Sequence, residues 1–282
     1  QTLDSEGQHT TAVRLVRRSL AIREKILGPN HLDIAQSLNN LAFILSSQGR
    51  YSSATSVLHQ SLLIETRWLS QELPLLPDQS RSAQLRQLGS SWQWPLSWLH
   101  KYHPAAKLAL ETRLNRQGLL QEIEEKQALL LKALDIDRAK VKQLQLLTQK
   151  LATISLRTDR RTAVREERDK LQAEIYRQIP GLQLEVASTT EVEKELPQDG
   201  VLVEFQLYRP FDSRTPPPKS WGAPQYLALI LKPNGSVNAV PLGAASVIDA
   251  TVHQALGATA GGLSDADEIL ARLSTQVLKP LL

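Results

Sequence analysis

The 282-residue chain carries 33 basic and 29 acidic side chains, a net charge of +4, with 41% hydrophobic and 22% charged residues. That balance is ordinary for a globular chain of about two domains. It excludes wholesale disorder and demands neither nucleic acid nor an anionic membrane as partner. No apolar run approaches the roughly 18 residues of a membrane span and no secretory signal opens the chain, so a soluble cytoplasmic protein is the expectation. Neither cysteine nor methionine occurs. Disulfides, thiolate metal ligands and a cysteine nucleophile are thereby excluded from this chain. The sequence starts at Gln1 inside a helical pattern and ends at Lys279-Pro280-Leu281-Leu282 without a polar tail. It reads as part of a longer reading frame.

The first segment repeats at an interval of 42 residues: Gly7, Ala12, Val16, Ser19, Leu20 and Ile22 match Gly49, Ala54, Leu58, Ser61, Leu62 and Ile64. Between the copies, Leu38, Leu41, Ala42 and Leu45 fall at helical spacing and run through Gln48-Gly49-Arg50-Tyr51 into a second helix. Small residues at Ala54 and Ser61 allow two helices to approach closely, and the glycine permits a tight turn. The stretch from Ala21 to His31, followed by Ser37-Leu38-Asn39-Asn40-Leu41-Ala42, resembles the long tetratricopeptide repeat of kinesin light chains, with Leu38 where that family often has Trp. The resemblance implies that the first helix of each pair lines a concave face. Gln36, Asn39, Phe43, Ser46 and Ser47 fall on that face by spacing and are the expected protein-binding residues. An asparagine there can both donate to and accept from the backbone of an extended peptide. Solenoids usually need about three repeats, so further repeats are expected before Gln1.

Residues 66–104 lose the periodicity and gather Trp68, Trp92, Trp94 and Trp98 with Pro74, Pro77, Pro95 and Pro104. Aromatic sites for single-stranded nucleic acid interleave rings with Lys and Arg, whereas Ser90 to Leu99 has no basic residue. Packing of a connector onto neighbouring helices is expected instead. His100 and His103 lack a nearby carboxylate, and Pro104 follows them directly, so no metal site is expected. No cofactor is expected either.

From Pro104 a long helix is expected, its buried stripe marked by Leu110, Leu114, Leu120, Ile123, Leu130 and Leu134. Asp135-Ile136-Asp137 interrupts it. Val141, Leu144, Leu147, Leu151 and Ile154 continue, then Val164, Leu171, Ile175 and Ile179 follow a Thr158-Asp159 cap up to Pro180-Gly181. An antiparallel hairpin or three-helix unit is expected. Arg157, Arg160, Arg161, Arg165 and Arg168 are interspersed with Glu166, Glu167 and Asp169, which reads as a solvated, salt-bridged face.

After residue 200 the pattern changes. Val201–Tyr208 and Tyr226–Leu231 read as strands, the second apolar enough for burial on both faces. Pro233-Asn234-Gly235-Ser236 supplies a hairpin turn into Val237–Pro241. Residues 209–225, rich in Pro and Gly, are expected to form an exposed excursion. Helical patterns follow at Val247–Leu256 and Ala266–Leu278.

The stretch from Leu108 to Glu124, the strand Asp199-Gly200-Val201-Leu202-Val203-Glu204 and Tyr226–Gly235 together resemble CHAT proteins, the caspase-like, tetratricopeptide-associated proteins common in cyanobacteria and other bacteria. The resemblance implies a Cys–His peptidase dyad on later strands. Neither motif is present. The only histidine beyond residue 103 is His253, not followed by Gly, and a Cys–His peptidase needs a thiolate and a base in reach. Ser246, Asp249 and His253 lie close in sequence, with Asp249 and His253 read as a surface ion pair. Gly257-Ala258-Thr259-Ala260-Gly261-Gly262 lacks the Lys-Ser/Thr ending of a phosphate loop. No catalytic residue is assigned.

The expected fold class is mainly α with a C-terminal α/β segment. Its stretches are about one and a half tetratricopeptide repeats over 1–68, a Trp/Pro-rich connector over 69–104, a helical hairpin or bundle over 105–180, and the N-terminal part of a CHAT α/β domain over 181–282. The expected function is the protein-interaction and regulatory portion of a tetratricopeptide–CHAT cysteine peptidase, binding a protein or peptide ligand through the repeat. Two alternatives stand beside it: a non-catalytic scaffold, and an effector-gated or RNA-gated sensor resting on the arginine cluster.

Overall fold

The computed structural model describes residues 2–133, 138–153, 158–216 and 219–281. Among the described residues ten α-helices precede the sheet: α1 (Thr2–Leu27), α2 (Leu32–Ser47), α3 (Tyr51–Gln71), α4 (Asp78–Gln87), α5 (Trp94–Trp98), α6 (Ala105–Arg116), α7 (Leu119–Ala133), α8 (Arg138–Thr153), α9 (Thr158–Arg177) and the short α10 (Thr189–Glu195). Strands β1 (Leu202–Tyr208), β2 (Gln225–Leu231) and β3 (Val237–Ala244) follow, then α11 (Ala245–Gly261) and α12 (Ala266–Val277). The protein is mainly helical, with one small antiparallel sheet in the order β1-β2-β3. Two compact units divide it. One comprises Gln1–Leu62, Ser90–Leu114 and Ala187–Leu282, the other Leu63–Gly89 and Asn115–Val186. Each is discontinuous in sequence, so the boundaries cut across the four consecutive stretches read from the sequence.

In the first unit, α2 begins where His31 Nδ1 accepts from the Asp33 amide at 3.1 Å. It ends at Gly49, whose φ of +73° only glycine adopts without strain. Leu41, Ala42 and Leu45 of α2 pack on Ala54, Leu58 and Leu62 of α3, and Trp98, Ala105 and Leu108 close the cluster. Ala42 and Ala54 have no exposed surface, and Ser61 Oγ donates to the Ala35 carbonyl at 2.8 Å across the helix pair. The small residues of the 42-residue repeat therefore do what the spacing requires: they let the backbones approach.

The sheet of this unit is organised by β2, whose residues from Leu227 to Leu231 are all buried. Leu227, Leu229 and Leu231 face Leu96 and the α6 stripe Ala106, Ala109 and Leu110. Arg113 of α6 ties the same face to β1 through Glu204 at 3.2 Å and the Phe205 carbonyl at 3.0 Å. Between β2 and β3 the chain reverses over Lys232–Ser236, with Gly235 at φ +74° as the Asn-Gly signal predicts. Helices α11 and α12 pack on each other through Ala255, Ala258 and Ile269.

In the second unit, Leu147 of α8, Leu171 and Ile175 of α9 and Ile179 just after it form one cluster, and Leu69, Leu73, Leu119, Ile123 and Leu184 another. Gln127 Nε2 donates to the Pro74 carbonyl at 2.8 Å, and the Leu184 amide to the Ser70 carbonyl at 2.9 Å. A buried ion pair joins Arg116 to Glu65. Desolvation lowers the Arg116 pKa, and the Glu65 carboxylate opposes that shift.

Three local expectations need revision. The long helix expected from Pro104 breaks after Arg116, because Gly118 takes φ +70°, and resumes at Leu119. The short helix α10 is new. It starts at a capping box in which Ser188 and Glu191 satisfy each other's backbone amides. The 209–225 excursion is not simply exposed: Ser220 is buried and Phe211 bridges to Trp221. Leu134, Asp135-Ile136-Asp137, Ile154 and Arg157 lie outside the described residues.

Candidate functional site

Helix α2 presents Asn39, Phe43 and Ser46 on one face, at successive steps of four and three residues. Each meets the chain's own downstream residues within the first unit. Asn39 Nδ2 donates to Ser91 Oγ at 3.1 Å. The Phe43 ring lies 6.0 Å from Trp94 and 6.0 Å from Phe211, tilted against both. Ser46 Oγ donates to the Phe43 carbonyl at 2.9 Å and pairs with Ser213 Oγ at 3.0 Å. Asn39 and Ser46 are buried at 4% and 0% relative exposure, while Phe43 keeps 37%. The face predicted to be open is therefore largely covered.

The cover has two layers of aromatic rings. Phe211 stacks on Trp94 at 5.5 Å and packs against Trp221 at 4.7 Å, and Trp94 contacts Trp98 at 6.4 Å. The Phe211 amide donates to Ser97 Oγ at 2.8 Å, which fixes the excursion onto α5. Trp94 Nε1 is buried and finds no acceptor among the described residues. Gln36 stands exposed at one end of the face and donates to Asn40 at 3.4 Å. Ser47 turns back to the Ile44 carbonyl at 2.7 Å and does not join the cluster. Phe211 and Ser213 were not singled out in the sequence. Their only signal is a pair of aromatics, Phe211 and Trp221, inside a polar, Pro-rich stretch.

Beside this cover, Arg214 pairs with Asp212 at 3.1 Å, and its hydrogen bonds hold the Asp212 carboxyl below the usual carboxylate range. The His100 pKa is lowered, first by burial and then by the nearby cations Lys101 and Arg214. His100 and His103 both line a cavity of about 540 Å³. Among the described residues no group of three or more His, Cys, Asp or Glu is placed to hold a metal ion.

The expected Asp249–His253 ion pair takes another form. His253 Nδ1 meets the Asp249 backbone carbonyl at 2.6 Å, and the Asp249 carboxylate accepts from Tyr226 Oη at 2.9 Å. Of the arginine cluster, Arg160, Arg161 and Arg165 are exposed, and Arg168 Nε donates to Asp169 at 2.9 Å. Among the described residues no helix is long and apolar enough to cross a membrane.

Residues 3–62, which span α1, α2 and the first half of α3, match the tetratricopeptide repeat family model. Repeats of this kind generally mediate protein–protein interactions, which suggests a protein-interaction role for this part of the chain. No curated protein and no solved structure matches the chain.

Proposed function

We propose that the chain is the protein-interaction and regulatory portion of a larger tetratricopeptide protein, and that its ligand surface is the α2 face bearing Gln36, Asn39, Phe43, Ser46 and Ser47. The observation that carries the reading is the cover itself. An amide, a ring and a hydroxyl at successive positions of α2 engage a hydroxyl, two rings and a hydroxyl of the chain's own segments. A surface that holds residues of this composition in cis has the donors and the apolar site to hold a peptide in trans. Trp94 Nε1 adds a donor that an incoming carbonyl can satisfy. Leu15, Ile22 and Ile26 of α1 stay exposed on one helix face, which supports stacking of further repeats there.

The four stretches read from the sequence, and the CHAT-type identity of the C-terminal one, remain part of this proposal. The β2–β3 hairpin at Asn234-Gly235 and the apolar β2 fit the resemblance. On that reading the longer protein is a cysteine endopeptidase whose dyad lies outside this chain. Iodoacetamide should abolish cleavage by the longer protein, and the chain alone should cleave no peptide library.

A displayed library of random peptides tests the ligand face. Selection on the Phe211→Ala chain, which removes the central ring of the cover, should enrich peptides pairing an aromatic with a nearby Ser or Thr. Their binding should vanish when Phe43→Ala is added. Selected peptides that bind the Phe43→Ala chain equally well would place the interaction elsewhere.

A further inference from the structure

The first unit contains a second recessed site away from the α2 face. The sheet extends beyond the part of its face covered by α6, and a cavity of about 540 Å³ opens there. Hydrocarbon makes up most of its wall, from Leu96, Leu99, Leu227, Val237, Ala239 and Pro241, with Ser97, His100, His103, Tyr208, Gln225 and Asn238 set among them. Leu96 and Leu227 are 4% and 2% exposed, so this wall is continuous with the core. Of these polar groups, the Tyr208 hydroxyl donates to Gln225 at 3.4 Å and Ser97 Oγ accepts from the Phe211 amide at 2.8 Å. The chamber thus offers an occupant mainly hydrocarbon contact, with a few polar groups along its wall. A volume in the range of roughly 300–1,000 Å³ with apolar walls and few polar groups is the usual form of a small-molecule site.

A smaller cavity of about 280 Å³ adjoins it, and Ser97, His100 and Pro210 line both. The character of the second cavity is different. Lys101, Arg214 and Lys219 line it against the single carboxylate of Asp212. All three cations are exposed, with Lys101 also donating to Tyr51 Oη at 3.1 Å. The two cavities together form an apolar chamber behind a basic mouth, with His100 at the junction.

The geometry points to a binding site for an apolar carboxylic acid, its hydrocarbon body in the Leu96–Leu227–Ala239 chamber and its carboxylate at the mouth lined by Lys101, Arg214 and Lys219. Charge complementarity selects the head, since cations outnumber carboxylates there three to one. Burial of the body supplies affinity in proportion to the apolar area removed from water. A cationic amphiphile meets like charge at the mouth, and a neutral alcohol of equal length gains nothing from it.

The test uses the full chain and three probes of one chain length: decanoate, decanol and decyltrimethylammonium. Calorimetric titration at low salt should give decanoate an affinity at least tenfold above that of decanol, with no saturable binding of the cation. The Lys101→Ser/Arg214→Ser chain should bind decanoate no better than decanol. Ala239→Phe, which fills the chamber, should remove saturable binding of both. Since that variant can disturb β3, a diazirine-bearing decanoate provides an independent check. Its covalent label should fall within residues 96–103 or 225–241 of the unaltered chain. Equal affinity for decanoate and decanol, absence of saturable decanoate binding, or labelling confined to other residues would overturn the assignment.

Discussion

Removing the Phe211 ring is the sharpest perturbation of the α2 cover. The ring touches Phe43 at 6.0 Å, Trp94 at 5.5 Å and Trp221 at 4.7 Å. Aromatic pairs at such distances contribute about 0.5–1.5 kcal/mol each beyond area burial, so three pairs set a scale of about 1.5–4.5 kcal/mol. Phe211 is only partly buried, which places the expected loss for Phe211→Ala in the lower half of that range, near 2 kcal/mol. Trp92, Trp94, Trp98 and Trp221 lie in the first unit and Trp68 in the second, so tryptophan emission mostly follows the unit that carries the cover. Urea unfolding followed by that emission should show the lower midpoint, and the native-state spectrum should shift to the red as Trp94 and Trp221 gain water. An unfolding stability within about 0.5 kcal/mol of wild type together with an unshifted spectrum would mean that the excursion does not pack on α2 in solution.

Three further outcomes follow from particular contacts. Glu65→Ala leaves the buried Arg116 guanidinium without its carboxylate, and a loss of about 3–5 kcal/mol is expected by chemical denaturation; less than 1 kcal/mol would show the pair to be solvated. His100 has a folded pKa below its ordinary 6.5, so the unfolded chain takes up the proton first as pH falls. Its stabilising contribution is complete above pH 6.5 and is lost on acidification; the drop in melting temperature from pH 7.5 to 5.5 should therefore be smaller in His100→Gln, and an unchanged drop would remove His100 as a cause. The native chain has no cysteine, and Ser46 and Ser213 place their hydroxyls 3.0 Å apart. A Ser46→Cys/Ser213→Cys chain should accordingly form a disulfide under mild oxidation, seen as loss of two free thiols, whereas persistent thiols would count against the closed cover.

Local signals carried the repeat and the sheet. The spacing of Leu38, Leu41, Ala42 and Leu45, the glycine turn and the small residues at Ala54 and Ser61 all act within a helix pair, where sequence distance and spatial distance nearly coincide. The Asn234-Gly235 reversal is equally local. The capping box at Ser188 and Glu191 was also readable from its four-residue spacing, yet no helix was expected there. What the sequence could not convey is long-range. Asn39 meets Ser91 across 52 residues and Ser46 meets Ser213 across 167, and no periodicity encodes such pairings. The packing of Trp94 onto α2 was anticipated only as aromatic packing of a connector, without its target. Likewise, the Asp249 carboxylate was assigned to its helical neighbour His253, but the sheet brings Tyr226 to it instead.

The central claim, that the α2 face binds extended peptide segments, is tested most directly with the chain's own occupant supplied in trans. A fluorescein-labelled peptide of residues 208–216 carries Phe211 and Ser213 in their native spacing. Its anisotropy would be titrated with the wild-type chain, the Phe211→Ala chain and the Phe43→Ala/Phe211→Ala chain. Saturable binding to Phe211→Ala, weaker binding to wild type because the cis segment competes, and loss in the double variant are the predicted results. Equal affinity for all three proteins, or no saturable binding to any of them, would contradict the account.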